Sequence, residues 1–88
     1  MNSATIEIGN YSREHGLQLT WVDGFTIDVK FHGGEVVLRA DPAGLRSLAA
    51  HLLTLAANEV PDGAHIHLEA GLELEDGSAS LVVERATF

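Results

Sequence analysis

The stretch Phe25-Thr26-Ile27-Asp28-Val29-Lys30-Phe31-His32-Gly33-Gly34-Glu35-Val36-Val37-Leu38-Arg39-Ala40-Asp41-Pro42 decides the fold. Phe25, Ile27, Val29 and Phe31 alternate with Thr26, Asp28 and Lys30, the period of two expected of a strand with one apolar and one wet face. Gly33-Gly34 then reads as a two-residue hairpin loop, because glycine accepts the positive φ that such turns require. That loop sets Phe31 opposite Val36 and Val29 opposite Leu38, and it sets Asp28 opposite Arg39 on the wet face as a pair of opposite charge. Apolar and ionic patterns agree on one register. Asp41 is placed to cap a helix and Pro42 to open it, since the first helical position has no use for an amide hydrogen.

Upstream, Ile6 and Ile8 alternate with Thr5 and Glu7, and Leu17, Leu19 and Trp21 alternate with Gln18 and Thr20, which predicts two more strands. A two-residue Asp23-Gly24 loop would place Leu19 opposite Asp28, mixing the faces. A three-residue loop, Val22-Asp23-Gly24 with Gly24 in the left-handed region, instead pairs Trp21 with Phe25, Leu19 with Ile27 and Leu17 with Val29. The same register puts Trp21 in the core.

Downstream, Leu45, Leu48, Ala49, Leu52, Leu55 and Ala56 recur at helical spacing, with Arg46, Ser47, Ala50, His51, Thr54 and Asn58 on the other side. The leucine stripe is expected to cover the sheet. Pro61 and Gly63 stop the helix, Ala64 to Glu69 resumes alternation with Ile66 and Leu68 inward, and Ser78 to Arg85 does so with Ala79, Leu81 and Val83 inward. The expected fold class is α+β: a mainly antiparallel sheet of about six strands, in the order four strands, one helix, two strands, with the single helix packed on one face. Residues 1–88 are expected to form a single domain. The connection from Ala70 to Gly77 is the segment that patterning specifies least.

Composition narrows the function. With no cysteine there is neither a disulfide framework nor a thiolate zinc site, and a thiol nucleophile is impossible. Thirteen acidic against five basic residues give a net charge of -8, which argues against a direct nucleic-acid or anionic-membrane binder. No secretory leader is expected, because Met1 to Gly9 lacks a basic start and an apolar run, and Leu48 to Ala57 is too short to span a membrane; the expected location is cytoplasmic. The excess charge is concentrated late. Residues 1–58 carry six acids and four bases, whereas residues 59–88 carry seven acids and one base, Arg85.

The most suggestive local feature is His65-Ile66-His67 followed by Glu69. On a strand, positions i, i+2 and i+4 share a face, so two imidazoles and a carboxylate would line up opposite the core. Three readings compete: a solvated strand face, a partner-contact surface, and three ligands for a divalent metal. The solvated face has the largest prior, because alternation alone gathers polar residues on one side. His15, His32 and His51 are expected to be ordinary surface residues. The serines lack a nucleophile elbow and the glycine pairs make turns rather than phosphate loops, so no catalytic residue, no metal and no cofactor is assigned.

Several runs carry a family resemblance: Asp41-Pro42-Ala43-Gly44-Leu45-Arg46-Ser47-Leu48-Ala49, Val60-Pro61-Asp62-Gly63-Ala64-His65-Ile66-His67-Leu68, Leu74-Glu75-Asp76-Gly77-Ser78 and Leu81-Val82-Val83-Glu84-Arg85. Over roughly residues 34–85 the chain resembles a small α+β immunity-protein family of bacterial polymorphic toxin systems, of the immunity protein thirty-two type. Glu69 departs from the shorter acid of the family pattern. The resemblance implies a non-enzymatic protein that binds and neutralises a cognate protein toxin. Charge then suggests a basic toxin, a basic nuclease being a class that would suit it, and a contact surface at His65, His67, Glu69, Glu73, Glu75 and Asp76. Two other readings stand beside it: a metal-binding domain or small metalloenzyme using the His-x-His strand, and a homodimeric structural or regulatory module with an uncovered strand edge.

Overall fold

The computed structural model describes residues 2–88. It contains six antiparallel strands and one helix: β1 (Asn10–Ser12), β2 (Gly16–Gln18), β3 (Ile27–His32), β4 (Glu35–Ala40), α1 (Pro42–Leu55), β5 (His65–Leu68) and β6 (Leu81–Glu84). The α+β class and the order of four strands, one helix and two strands are as expected from the sequence. The strands are distributed over three hairpins, β1-β2, β3-β4 and β5-β6.

The central hairpin has the register its sequence dictates. Phe31 pairs with Val36, Val29 with Leu38 and Asp28 with Arg39. Gly33 and Gly34 have φ of 58° and 81°, so both central residues of the turn are left-handed, as a tight hairpin matching the strand twist requires. The expected ion pair across that register does not form. The Asp28 carboxylate lies 3.9 Å from the Lys30 ammonium and accepts a 3.3 Å hydrogen bond from the Ser78 hydroxyl, which leaves Arg39 without it.

The N-terminal pairing differs from expectation. Residues 5–8 lie outside any strand, and Leu17 pairs with Tyr11 rather than Val29. Gly24 is left-handed at φ 80°, yet the chain does not fold back there as a hairpin, because β3 has β4 on one edge and the segment from Glu75 to Ala79 on the other. Trp21 and Phe25 meet through their rings, with centroids 4.5 Å apart, and both pack against the core without a ladder between them.

The helix starts as predicted. The Asp41 carboxylate accepts hydrogen bonds from the amides of Gly44 at 2.7 Å and Thr26 at 3.1 Å, which pushes its pKa below the usual carboxylate value and ties the cap to the start of β3. Gly44 allows the helix to lie close: a Cβ there would come within 2.7 Å of the Thr26 carbonyl oxygen and 2.9 Å of Ile27 Cγ1.

The faces of the helix are the main correction. Ser47, Ala50, His51 and Thr54, assigned to the outside, are buried, while Leu45 and Leu52 of the leucine stripe are each 53% exposed. Residues 9–25 pack on the small-residue side and its hydroxyls satisfy their amides: Ser47 accepts from the Val22 N–H and Thr54 from the Gly9 N–H. Each hydroxyl also donates one turn back, to Ala43 O and Ala50 O. Hydrogen bonding removes most of the cost of burying these groups. Leu48 and Leu55 still meet the core, and the stripe lines an apolar groove of about 320 Å³ with Leu38, Ile66, Leu81 and Val83.

Two clusters make the interior. Ile27, Val29, Leu68 and Leu74 form one, and Leu55, Val60 and Ile66 the other. The segment after β5 completes the first by lying along the free edge of β3, where Glu75 N–H donates to Ile27 O at 2.8 Å and Ala79 N–H to Val29 O at 2.7 Å.

Candidate functional site

Strand β5 presents the polar face that alternation predicts. Ile66 and Leu68 point into the core, and His65 and His67 are exposed. His67 Nε2 stands 3.4 Å from a Glu69 carboxylate oxygen, a pair that is ionic only when the imidazole is protonated. His65 turns away and its Nδ1 lies 3.1 Å from the Gly63 carbonyl oxygen. The expected row of three ligands is thus broken. Among the described residues, no group of three His, Asp or Glu side chains could hold a metal ion, so the metal reading has no geometric basis here.

His51, expected on the surface, is the buried histidine. Its ring is 0% exposed, packs edge-on against Trp21, and has no hydrogen-bond partner at either nitrogen. Burial favours the neutral imidazole and pushes its pKa down.

The segment from Glu69 to Ser78, which patterning left undetermined, is a compact double turn. The Glu69 carbonyl oxygen accepts from the amides of both Leu72 and Leu74, Gly71 N–H donates to Leu74 O, and the Glu73 carboxylate accepts from the Glu69 N–H at 3.1 Å. Leu74, 2% exposed, anchors the loop in the core, and Ser78 secures its far end by donating to Asp28 and accepting from Val29 N–H. Carboxylates surround the tip. Glu69, Glu75 and Asp76 are exposed and Glu73 is half-buried, with no basic residue between Glu69 and Ser78. A shallow pocket of about 280 Å³ is lined by Phe25, Gly71, Leu72, Glu73, Leu74, Glu75 and Asp76.

Sequence reasoning missed one member of this surface. Leu72 is 72% exposed at the loop tip, an apolar side chain between Gly71 and Glu73. No sequence signal singles it out, because Leu74, flanked by acids in the same turn, is the residue that enters the core.

The one base of the final third does not offset these acids. Arg85 donates to the carbonyl oxygens of Leu55 at 2.6 Å and Ala57 at 2.9 Å, so its guanidinium is directed to the C-terminal end of α1.

No helix among the described residues is long and apolar enough to cross a membrane. No curated protein and no solved structure matches the chain. Residues 35–86 match the model of the family described as Immunity protein 32, a stretch that holds β4, α1, β5, the acidic loop and β6. Because that match covers more than half of the sequence, the chain belongs to the immunity protein 32 family.

Proposed function

We propose that this protein binds and neutralises a cognate toxin through the acidic surface of His65, His67, Glu69, Glu73, Glu75 and Asp76, with Leu72 as its apolar anchor. Family membership gives the toxin-neutralising role, and the observation that carries the site is the ring of carboxylates around an exposed leucine on a loop held by its own hydrogen bonds. Such a surface has the anatomy of an interface hot spot, a desolvating apolar centre inside a charged rim.

The charge selects the partner class. Four acids in a run that holds no Lys or Arg attract a basic surface and accelerate encounter with it, Glu75 alone sharing a pocket with Lys30 and Arg39. A nuclease toxin, whose substrate cleft must be cationic to hold phosphates, is the fitting target, and occlusion of that cleft is the mechanism. On this reading the protein acts in the cytoplasm, as one domain, and by binding rather than by catalysis.

The test is co-purification of this protein with the toxin-like product of an adjacent gene, followed by a protection assay. Capture of that product and rescue of cells expressing it support the reading. Failure of both, with the neighbouring product folded, sinks it.

A further inference from the structure

We propose that two copies of this chain associate through the outer edge of β4, antiparallel and centred on Val37, to form a continuous four-stranded sheet.

The backbone directions come first. Asp41 N–H donates to Thr26 O, and the same register pairs Arg39 with Asp28, Val37 with Lys30 and Glu35 with His32. Hydrogen-bonded pairs alternate along an antiparallel ladder, so odd-numbered residues of β4 direct their amides and carbonyls at β3. Val36, Leu38 and Ala40 direct theirs outward, to an edge that no described strand occupies. Glu35 to Arg39 are all exposed, and this edge has no proline, lysine or bulge, its charges being Glu35 and Arg39 alone.

Charge then selects the register. Outward groups must meet outward groups, which restricts an antiparallel pairing of β4 with itself to registers that match even-numbered residues with even-numbered ones. Centred on Val37, the pairing sets Glu35 opposite Arg39 of the second copy twice over, with Val36 opposite Leu38 of the second copy between them. Centred on Leu38, Glu35 would face Asp41 of the second copy. Centred on Val36, Arg39 would face the glycine turn. Among the described residues neither Glu35 nor Arg39 has an ion-pair partner in its own chain, because Asp28 is engaged by Lys30 and Ser78.

Apolar surface agrees with that register. Phe31, Val36 and Leu38 share a face, are 75%, 59% and 39% exposed, and lead into the groove beside α1. A second copy doubles this row across the two-fold axis, an isologous contact in which Val36 meets Leu38 of the second copy and Leu38 meets its Val36. The toxin surface stays free, since the acidic loop runs along the opposite edge of β3 from β4. The inference therefore does not rest on the toxin reading.

The experiment is sedimentation equilibrium of the full chain from about 1 µM to about 1 mM, because self-association is set by concentration. It is run with Arg39→Glu, Glu35→Arg and the double variant Glu35→Arg/Arg39→Glu. We expect a species of twice 9.4 kDa, weakened about tenfold or more by either single reversal and restored by the double, which rebuilds both pairs with their signs exchanged. Hydrogen exchange of the unaltered protein gives a second reading: amides of Val36 and Leu38 should slow as concentration rises, while Val37 and Arg39 stay protected throughout. A monomer at every concentration, a dimer indifferent to the reversals, reversals that the double variant does not rescue, or Val36 and Leu38 exchange independent of concentration would each overturn it.

Discussion

The imidazole of His51 stands edge-on to the indole of Trp21, with ring centroids 4.3 Å apart and planes at 71°. This couples a buried, unpartnered base to the one tryptophan of the chain. His51 is neutral in the fold and its pKa is lowered by burial, so below the ordinary value of 6.5 the unfolded chain takes up a proton that the folded chain refuses. Stability contributed by keeping His51 neutral is present above pH 6.5 and is lost as pH falls from there towards the depressed folded value. Urea unfolding followed by Trp21 fluorescence should therefore show a falling midpoint over this interval. His51→Leu should flatten that slope, and an unchanged slope would show that it does not come from His51.

Gly44 is predicted to be intolerant of even one methyl group. A Cβ there meets the Thr26 carbonyl and Ile27 Cγ1 inside contact distance, so helix and hairpin would have to separate. Gly44→Ala should destabilise by about 1 to 3 kcal/mol, against the gain of up to ~1 kcal/mol that the same change brings in an unconstrained helix. A raised melting temperature would show that the close approach is not a constraint.

Arg85 should matter more for its geometry than for its charge. Its guanidinium bonds two carbonyls at the end of α1, and hydrogen bonds to charged groups contribute about 1.5 to 3 kcal/mol each when well formed. Partial exposure reduces this, and Arg85→Met is expected to cost roughly 1 to 3 kcal/mol in chemical unfolding. Arg85→Lys should recover only part, because one ammonium does not reproduce the fork.

On the acidic loop, rate and residence should separate. Reversing Glu75 and Asp76 to lysine should slow association with the toxin, more at low salt than at high, because these carboxylates act at a distance through solvent. Leu72→Ala should leave association nearly unchanged and speed dissociation, with a loss of about 1 to 2 kcal/mol in affinity. Stopped-flow binding at two ionic strengths distinguishes the two; equal salt dependence for wild type and the reversed variant would place the contact elsewhere.

The central hairpin and the helix start were legible because each rests on local rules: a period of two, a glycine pair with positive φ, a carboxylate ahead of proline. Strand β5 was legible for the same reason, and its exposed histidines follow from it. The N-terminal pairing was not. Two alternating segments can satisfy one another on paper, but Ile27 has one partner on each side, and those places are taken by β4 and the segment at Glu75. Helix orientation was not legible, because hydrophobicity alone turns the leucine stripe inward. Gly44, Ser47, Ala50 and Thr54 are a small-residue row, and small size admits a close neighbour where hydroxyls meet its amides. His51 followed that row inward. In the candidate site the acids could be read from charge, but Leu72 and Leu74 could not be told apart, since both are leucines in a turn and only the chain path sends one inward.

Family similarity begins at Glu35, directly after the Gly33-Gly34 turn, whereas the core strand β3 lies before it. Ile27 and Val29, the former without any exposed surface, are thus supplied from outside the stretch by which the family is recognised. That stretch therefore lacks part of the core it packs against. Cut at its own boundary, it would leave Leu68 and Leu74 facing water and the acidic loop without the strand edge that holds it. A fragment that keeps the acidic loop on its strand edge must therefore start upstream of Phe25, because β3 supplies both that edge and the core beneath it.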